Sequence, residues 1–499
     1  MIRITVKTTD HEADRIVLAE RGDNLLDCLR NAGIPLRADC GGIGTCGKCR
    51  VTIDGTPALA CMTYVTRDIS VTLPTDTGTE DQISAERDDL LTAERAARAA
   101  DTNTGSAAGC FAAVDLGTTT IAVSLIDRAA GNVLASASFL NPQYTFGADV
   151  ISRINVSLDD SSKLSKMIRE RIGAELASLL QTAGVGASGL DLIVIAGNTT
   201  MSYILLGLPC RSLGFAPFKP AFAAGGRYEA AELFGSGFAD TKCLLVPYLS
   251  AFVGGDITSG LIATEREGDY LIIDMGTNGE LAYMTGEKLL CTSTAAGPAF
   301  EGVNLTCGMG GTAGAVSKVW LDNGELQFKT IADAAARGIC GSGVLDLMAC
   351  LIAAGAVKAN GKFNDEHPFV ADRQVSLAGD VVFTQKDARE FQLAKSAVRS
   401  GVEILFAEAG AVPGKVLLAG GFGQHLDPES AFATGLLPES LRGRVTAAGN
   451  TSLAGAVRIG FDTALLDRAE YYAKKSREIN LAAHKNFSDS FMTYMRFDT

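Results

Sequence analysis

Two stretches of the chain read alike at a distance. Ala112–Leu125 (AAVDLGTTTIAVSL) aligns with Leu271–Met284 (LIIDMGTNGELAYM), so Asp115 and Asp274 stand 159 residues apart. A second echo, 223 residues apart, pairs Ile193–Thr199 (IVIAGNT) with Val416–Phe422 (VLLAGGF). A repeat of this kind builds one supersecondary unit twice. The economical reading of residues 110–465 is two similar α/β lobes with a cleft between them, lobe I over 110–265 and lobe II over 266–465. In each copy an apolar strand ends in Asp, and a Gly-Thr turn starts the next strand. The turn's N–H and hydroxyl groups suit phosphate oxygens, and the Asp can hold Mg²⁺, often through water. One such hairpin occurs by chance in many turns; two in register carry more weight against the reading of two ordinary hairpins.

The N-terminal 73 residues form a separate unit. Ile2–Lys7 and Arg15–Leu18 read as strands, and Asn24–Ala32 as a helix capped by Asp23 or Asn24 and stopped by Gly33. A glycine-rich loop holds Cys40, Cys46 and Cys49, Lys48–Ile53 returns as a strand, and Cys61 follows. The spacing is C-x5-C-x2-C-x11-C. Four thiolates are the usual ligand set of iron–sulfur clusters, and Gly41, Gly42, Gly44 and Gly47 let the loop wrap one. A structural zinc site is the alternative, but zinc favours paired C-x2-C units and only one is present. The other eight cysteines, Cys28, Cys110, Cys210, Cys243, Cys291, Cys307, Cys340 and Cys350, read as packing residues.

Between these units, residues 74–109 read as a linker whose middle, Ser84–Ala100, is helical; it would let the head move against the body. Residues 466–499 form a charged tail with a late aromatic patch, Phe487, Phe491, Tyr494 and Phe497, expected to pack on the body. The net charge of −13 argues against nucleic acid as partner. No apolar run reaches the length a bilayer requires, Leu347–Val357 being among the longest. The opening residues lack an apolar signal core, so the expected location is cytoplasmic, with no membrane partner. Four histidines leave little for a histidine-rich metal site.

The cysteine loop resembles 2Fe–2S ferredoxins of the adrenodoxin and plant type, although the fourth cysteine comes earlier here. That implies an α+β β-grasp fold for residues 1–73. The hairpin pair resembles the superfamily of actin, sugar kinases, acetate kinase and heat-shock ATPases, which implies a two-lobed, ribonuclease-H-like ATPase binding ATP and Mg²⁺. By that resemblance Asp115–Thr119, with Gly117, Thr118 and Thr119, is the first phosphate loop, and Asp274–Asn278, with Gly276, Thr277 and Asn278, is the second. Asp115 and Asp274 would hold the magnesium. Ala419–Gly423, with Gly420, Gly421 and Gly423, looks like the adenosine loop. Gly197–Thr200, with Asn198, and Gly338–Gly343 look like segments where helices cross between lobes. Asp256 is a candidate to position the attacking water or the metal, with a helix N-cap as the alternative. Lys395 reads as a solvated helix lysine in preference to a nucleotide contact.

The whole layout resembles the reductive activators of corrinoid proteins. That resemblance implies ATP-dependent, one-electron reduction of an inactive cobalt(II) corrinoid protein to cobalt(I), with a low-potential electron donor upstream. Dimerisation is implied by the resemblance alone. One departure is visible: longer members place an extra domain between linker and ATPase, whereas only about 36 residues separate the units here. Two other functions fit the same residues, a small-molecule kinase with a redox-sensing cluster and a nucleotide-gated electron carrier without net ATP turnover.

Overall fold

A computed structural model describes the chain except residues 8–13, 35, 37, 39–41, 43, 45–48, 74–91, 97–108, 148, 266–267, 277, 287, 303 and 499. Cys40, Cys46, Thr277 and most of the linker therefore lie outside the described residues.

The head is a five-stranded mixed sheet closed by one helix. Strands β1 (Ile2–Lys7), β2 (Arg15–Ala19), β3 (Arg50–Ile53), β4 (Thr56–Leu59) and β5 (Ile69–Thr72) lie in the order β2-β1-β5-β3-β4. β1 pairs antiparallel with β2 and parallel with β5. The helix Leu25–Asn31 starts where Asn24 accepts a hydrogen bond from the Leu26 N–H, and it stops before Gly33, whose φ is +67°. Asn24 is thus the cap, and the helix is shorter by one residue at each end than the sequence implies. Its Leu25, Leu26 and Leu29 are buried against Ile4, Val6 and Val71, a burial worth about 2 kcal/mol for each leucine.

The body holds two six-stranded sheets that share the order of five strands, the sixth lying on opposite edges. The first comprises β6 (Cys110–Leu116), β7 (Thr120–Asp127), β8 (Val133–Leu140), β9 (Leu190–Gly197), β10 (Gly226–Glu229) and β11 (Lys242–Leu245), ordered β10-β11-β9-β6-β7-β8. The second includes β12 (Tyr270–Met275), β13 (Gly279–Thr285) and β14 (Lys288–Thr294). Two small sheets, β15 (Ala315–Asp322) with β16 (Glu325–Thr330) and β17 (Gly338–Ile339), and β18 (Gln374–Ala378) with β19 (Val381–Thr384), form an insertion. β20 (Lys415–Ala419), β21 (Val445–Gly449) and β22 (Arg477–Glu478) then complete the second sheet in the order β21-β20-β12-β13-β14-β22. In both sheets a three-stranded antiparallel meander meets a parallel strand, β9 on β6 and β20 on β12. The sequence repeats therefore fall on equivalent strands: β6 and β7 answer to β12 and β13, and β9 answers to β20.

Helices Gly255–Ala263 and Thr451–Phe461 fill the space between the sheets. Ile257, Leu261, Leu453, Ala456 and Val457 share one core with Phe111 and Ala113 of the first sheet and Ile272, Ala282 and Leu417 of the second. These, rather than the helices after Gly197 and Cys340, cross between the sheets, which corrects the sequence expectation. Helix Thr199–Leu206 packs in the core on the outer side of the first sheet, and helix Gly341–Ala353 belongs to the core of the second. The approach of the inner helices is close, since a Cβ at Gly455 would lie 1.9 Å from the Ser259 carbonyl oxygen. Of the linker, a helical turn over 92–96 is described, with Ala93 and Ala96 in this inter-sheet core.

The tail crosses helix Gln385–Ala409, and this overturns the reading of Lys395. That residue is fully buried, its Nζ donates to the Arg496 carbonyl at 2.5 Å, and it lies 4.5 Å over the Phe497 ring. It is neither solvated nor in reach of the cleft, because the last residues of the chain cover it. Six of the eight packing cysteines are buried, and Cys307 and Cys350 are partly so.

Candidate functional site

Each Asp of the paired hairpins is the last residue but one of its strand. Asp115 is held from the far side by two residues at the start of helix Thr451–Phe461. Asn450 Nδ2 donates to it at 2.9 Å and Ser452 Oγ at 2.6 Å. Burial raises the Asp115 pKa, and these two hydrogen bonds oppose the rise. The turn after it is braced by side chains: Asn198 Nδ2 donates to Thr118 Oγ1 at 2.8 Å, and Asn141 Nδ2 to the Gly117 carbonyl at 2.9 Å. Arg153, fully buried, donates from Nη2 to the Thr118 carbonyl at 2.5 Å.

Asp274 faces the other loop. A Cβ at Gly420, which has φ +78°, would stand 2.4 Å from Asp274 Oδ1. Only glycine admits both that conformation and that approach. Gly421 beside it has open space where a Cβ would be, and Gly423 packs near Leu418. Gly276 closes the second turn by donating from its N–H to the Asn278 carbonyl at 3.1 Å.

Asp256 lies in the first turn of helix Gly255–Ala263, whose cap is Gly254. It is therefore not the N-cap, although its Oδ1 accepts from the Ile257 N–H at 2.8 Å. Burial and the nearby Asp115 carboxylate push its pKa up to about 7. Asp274 is likewise pushed up to about 7, by burial and then by Asp256, Asp115 and Glu301. Two carboxylates not singled out from the sequence join them. Glu280 pairs with Asp274 across the β12–β13 ladder, and burial with the charges of Asp256 and Asp274 raises its pKa well above the usual range. Glu301 Oε1 lies 3.6 Å from the Cβ position of Gly276.

Five acidic groups thus gather around the two hairpins, and four of them have raised pKa values. Such a cluster gains from a cation, because a divalent ion reverses the local repulsion. Among the described residues, no three His, Cys, Asp or Glu side chains meet closely enough to ligate one ion directly.

In the head, Cys49 and Cys61 are buried and their sulfurs lie 3.2 Å apart. A disulfide would need about 2.05 Å, so the two sulfurs are close but not bridged. The Asn24 cap also donates from Nδ2 to the Cys61 carbonyl at 2.8 Å, and the Ala60 N–H donates to the Cys49 carbonyl at 2.9 Å. Gly42 and Gly44 have φ of +104° and +84°, as a loop folding round a cluster requires.

Asn450, Ser452, Arg153, Glu280 and Glu301 carry no local motif that marks them. Glu280 alone had a usable signal, since a hairpin closed by a short turn after Asp274 places it opposite on the same face.

Comparison with known proteins places the chain. Residues 8–66 match the 2Fe-2S iron-sulfur cluster binding domain, 110–268 the RACo middle region, and 269–499 the C-terminal domain of RACo, the ASKHA domain. The match over 110–268 corrects the expected departure, since the family's middle region is present within the first sheet and its helices. The chain is similar to a corrinoid activation enzyme, RamQ, of Eubacterium limosum, 33% identical over 417 residues that cover 77% of this chain and 70% of that protein. It is also similar to a [Co(II) methylated amine-specific corrinoid protein] reductase of Methanosarcina barkeri, 22% identical over 426 residues covering 78% and 77%. A solved structure of a reductive activator for a corrinoid, iron-sulfur protein matches at TM-score 0.70 and 26% identity, over 99% of this chain and 98% of that one. The chain belongs to the family of reductive activators of corrinoid proteins.

Proposed function

We propose that this chain uses ATP to drive one electron from its head onto a cobalt(II) corrinoid protein, returning the cobalt to the cobalt(I) state that accepts methyl groups. The observation that carries the reading is the union, in one chain, of a buried cysteine pair in a ferredoxin-type head and a cleft floored by mutually repelling carboxylates. The head supports a 2Fe–2S cluster, which supplies a single electron; we assign its ligands as Cys40, Cys46, Cys49 and Cys61. Among the described residues no helix is long and apolar enough to cross a membrane, and we place the activity in the cytoplasm.

In the cleft, the Thr118 and Thr119 groups and their counterparts at Thr277 and Asn278 bind phosphate oxygens. Asp115 and Asp274 would hold Mg²⁺, with Glu280 and Glu301 near Asp274. Asp256, buried near Asp115 with its pKa pushed up to about 7, would orient the attacking water. Gly420, Gly421 and Gly423 leave room for the adenosine. Closing the halves on ATP favours the complex with the corrinoid protein, and hydrolysis releases it. Nucleotide shifts this equilibrium only by its differential affinity for the two states. Moving it from roughly 1:99 to 99:1 takes about 5.5 kcal/mol, roughly 240 mV for one electron. That is the size of gap one nucleotide can cover.

The test is to mix the reduced protein with a cobalt(II) corrinoid protein, with and without Mg-ATP, and read cobalt(I) by its absorbance. The yield should rise with Mg-ATP; equal yields would remove the coupling. Cys46→Ser should abolish reduction and leave nucleotide binding intact.

A further inference from the structure

Arg30 sits in the last turn of the head's helix with a side chain only 6% exposed. Its Nε and Nη2 are buried and have no hydrogen-bond partner among the described residues. Among the described residues its Nη1 reaches only the exposed Asp27, at 3.5 Å. A buried cation so poorly matched is costly unless an anion faces it. The cysteine loop lies on that side: the Cβ position of Gly42 is 3.8 Å from Arg30 Nη1 and 3.9 Å from the Cys61 Cβ.

The guanidinium also packs 5.2 Å from the centre of the Phe146 ring, in the body. Lys163 Nζ lies 4.7 Å from the same ring and donates to Asn31 at 3.0 Å, so the head is seated here through two contacts. Phe146 ends the 3₁₀ turn Pro142–Phe146, capped by Asn141. Asn141 is bonded twice to the first phosphate hairpin, through its side chain to the Gly117 carbonyl and through its N–H to the Thr119 carbonyl at 2.8 Å. Arg153 spans the same gap, donating to the Thr118 carbonyl and, at 3.2 Å, to the Gly147 carbonyl. The hairpin thus meets the head through Asn141, Phe146 and Arg30.

We propose that Arg30 is a positioning residue that turns its Nε–H and Nη2–H groups to the cluster's sulfur atoms and, through Phe146 and Asn141, ties the head's reduction potential to nucleotide at the first hairpin. The inference rests on the cluster reading above. A cationic donor favours the more negative, reduced cluster, so Arg30 holds the potential up. Linkage is reciprocal: whatever factor nucleotide imposes on reduction, reduction imposes on nucleotide affinity.

The experiment is an EPR-monitored redox titration of the full chain with and without Mg²⁺ and a non-hydrolysable ATP analogue. Arg30→Gln should lower the reduction equilibrium about tenfold, ~59 mV for one electron, with Arg30→Lys recovering part of it. Phe146→Ala should erase the difference between nucleotide-bound and nucleotide-free protein, and with it any difference in analogue affinity between oxidised and reduced protein. If Arg30→Gln does not retain its cluster absorbance, the Phe146→Ala titration decides. Unchanged potentials in both variants, with the wild-type cluster spectrum present, overturn the role of Arg30 and leave the cluster reading standing. Absence of that spectrum from the wild-type protein would overturn the cluster reading itself.

Discussion

Asp115 and Asp274 occupy equivalent places in two similar sheets, yet their surroundings differ. Asp115 accepts two hydrogen bonds from the start of a helix more than 330 residues later. Asp274 accepts none from the described residues and looks instead onto Asp256, Glu280 and Glu301. A duplicated motif has thus been fitted with two environments. One carboxylate is fixed and kept in place by donors; the other is left in a field of like charge that a cation would relieve. The same comparison separates binding from fastening, because the partners of Asp115 also tie the first sheet to the inner helix Thr451–Phe461.

The largest expected effect comes from removing the unsupported member. Asp274→Asn should lower Mg-dependent ATP turnover by about 10²–10³-fold, on the scale of losing one electrostatic stabiliser of a transition state, as phosphate release would show. Removing a donor to Asp115 should cost less. Ser452→Ala gives up one hydrogen bond to a charged group, worth about 1.5–3 kcal/mol, so turnover should fall ~10–100-fold while Asp274 continues to respond to magnesium. An equal loss in both variants would break the distinction.

Acidity should sharpen it. With Asp256 and Asp274 pushed up to about 7, protons compete with Mg²⁺ below that pH. Magnesium affinity, read by calorimetry with a non-hydrolysable analogue, should rise as pH increases from 6 to 8 and then level. The sign for stability is opposite in the metal-free protein. Groups whose folded pKa is raised stabilise the fold at low pH and lose that contribution as pH climbs towards 7. The rise in melting temperature on adding Mg-nucleotide should therefore be larger at pH 8 than at pH 6. The smallest effect is expected at Gly420. Gly420→Ala adds a methyl 2.4 Å from Asp274 Oδ1 at a φ of +78°, a strain of about 1–3 kcal/mol, visible in a melting curve and as weaker nucleotide binding.

Much of this architecture was legible in the residues. The head's strands and its Asn24 cap follow from alternation and capping chemistry, and the echoes pairing Asp115 with Asp274 and Ala196 with Ala419 land on equivalent strands. What was hidden depends on contacts between distant segments. Ser452 and Asn450 become partners of Asp115 only when two sheets close on a shared helix. Glu301 reaches the cleft from a 3₁₀ turn with no motif of its own. Lys395 has the look of a surface lysine until the chain's last residues fold over it. Gly-Asn-Thr and Gly-Ser-Gly read as helix starts without showing which side of a sheet the helix takes; the burial of Ile257, Leu261 and Val457 between the sheets settles that.

The central claim is that events at the carboxylate cleft and at the cysteine head are energetically one process. It is tested most directly by counting ATP hydrolysed and cobalt(I) formed together, with and without the cobalt(II) corrinoid protein. Hydrolysis that accelerates when the partner is added and advances in fixed proportion to cobalt(I) is the predicted result. Hydrolysis indifferent to the partner, or phosphate passed to a small molecule, would contradict it.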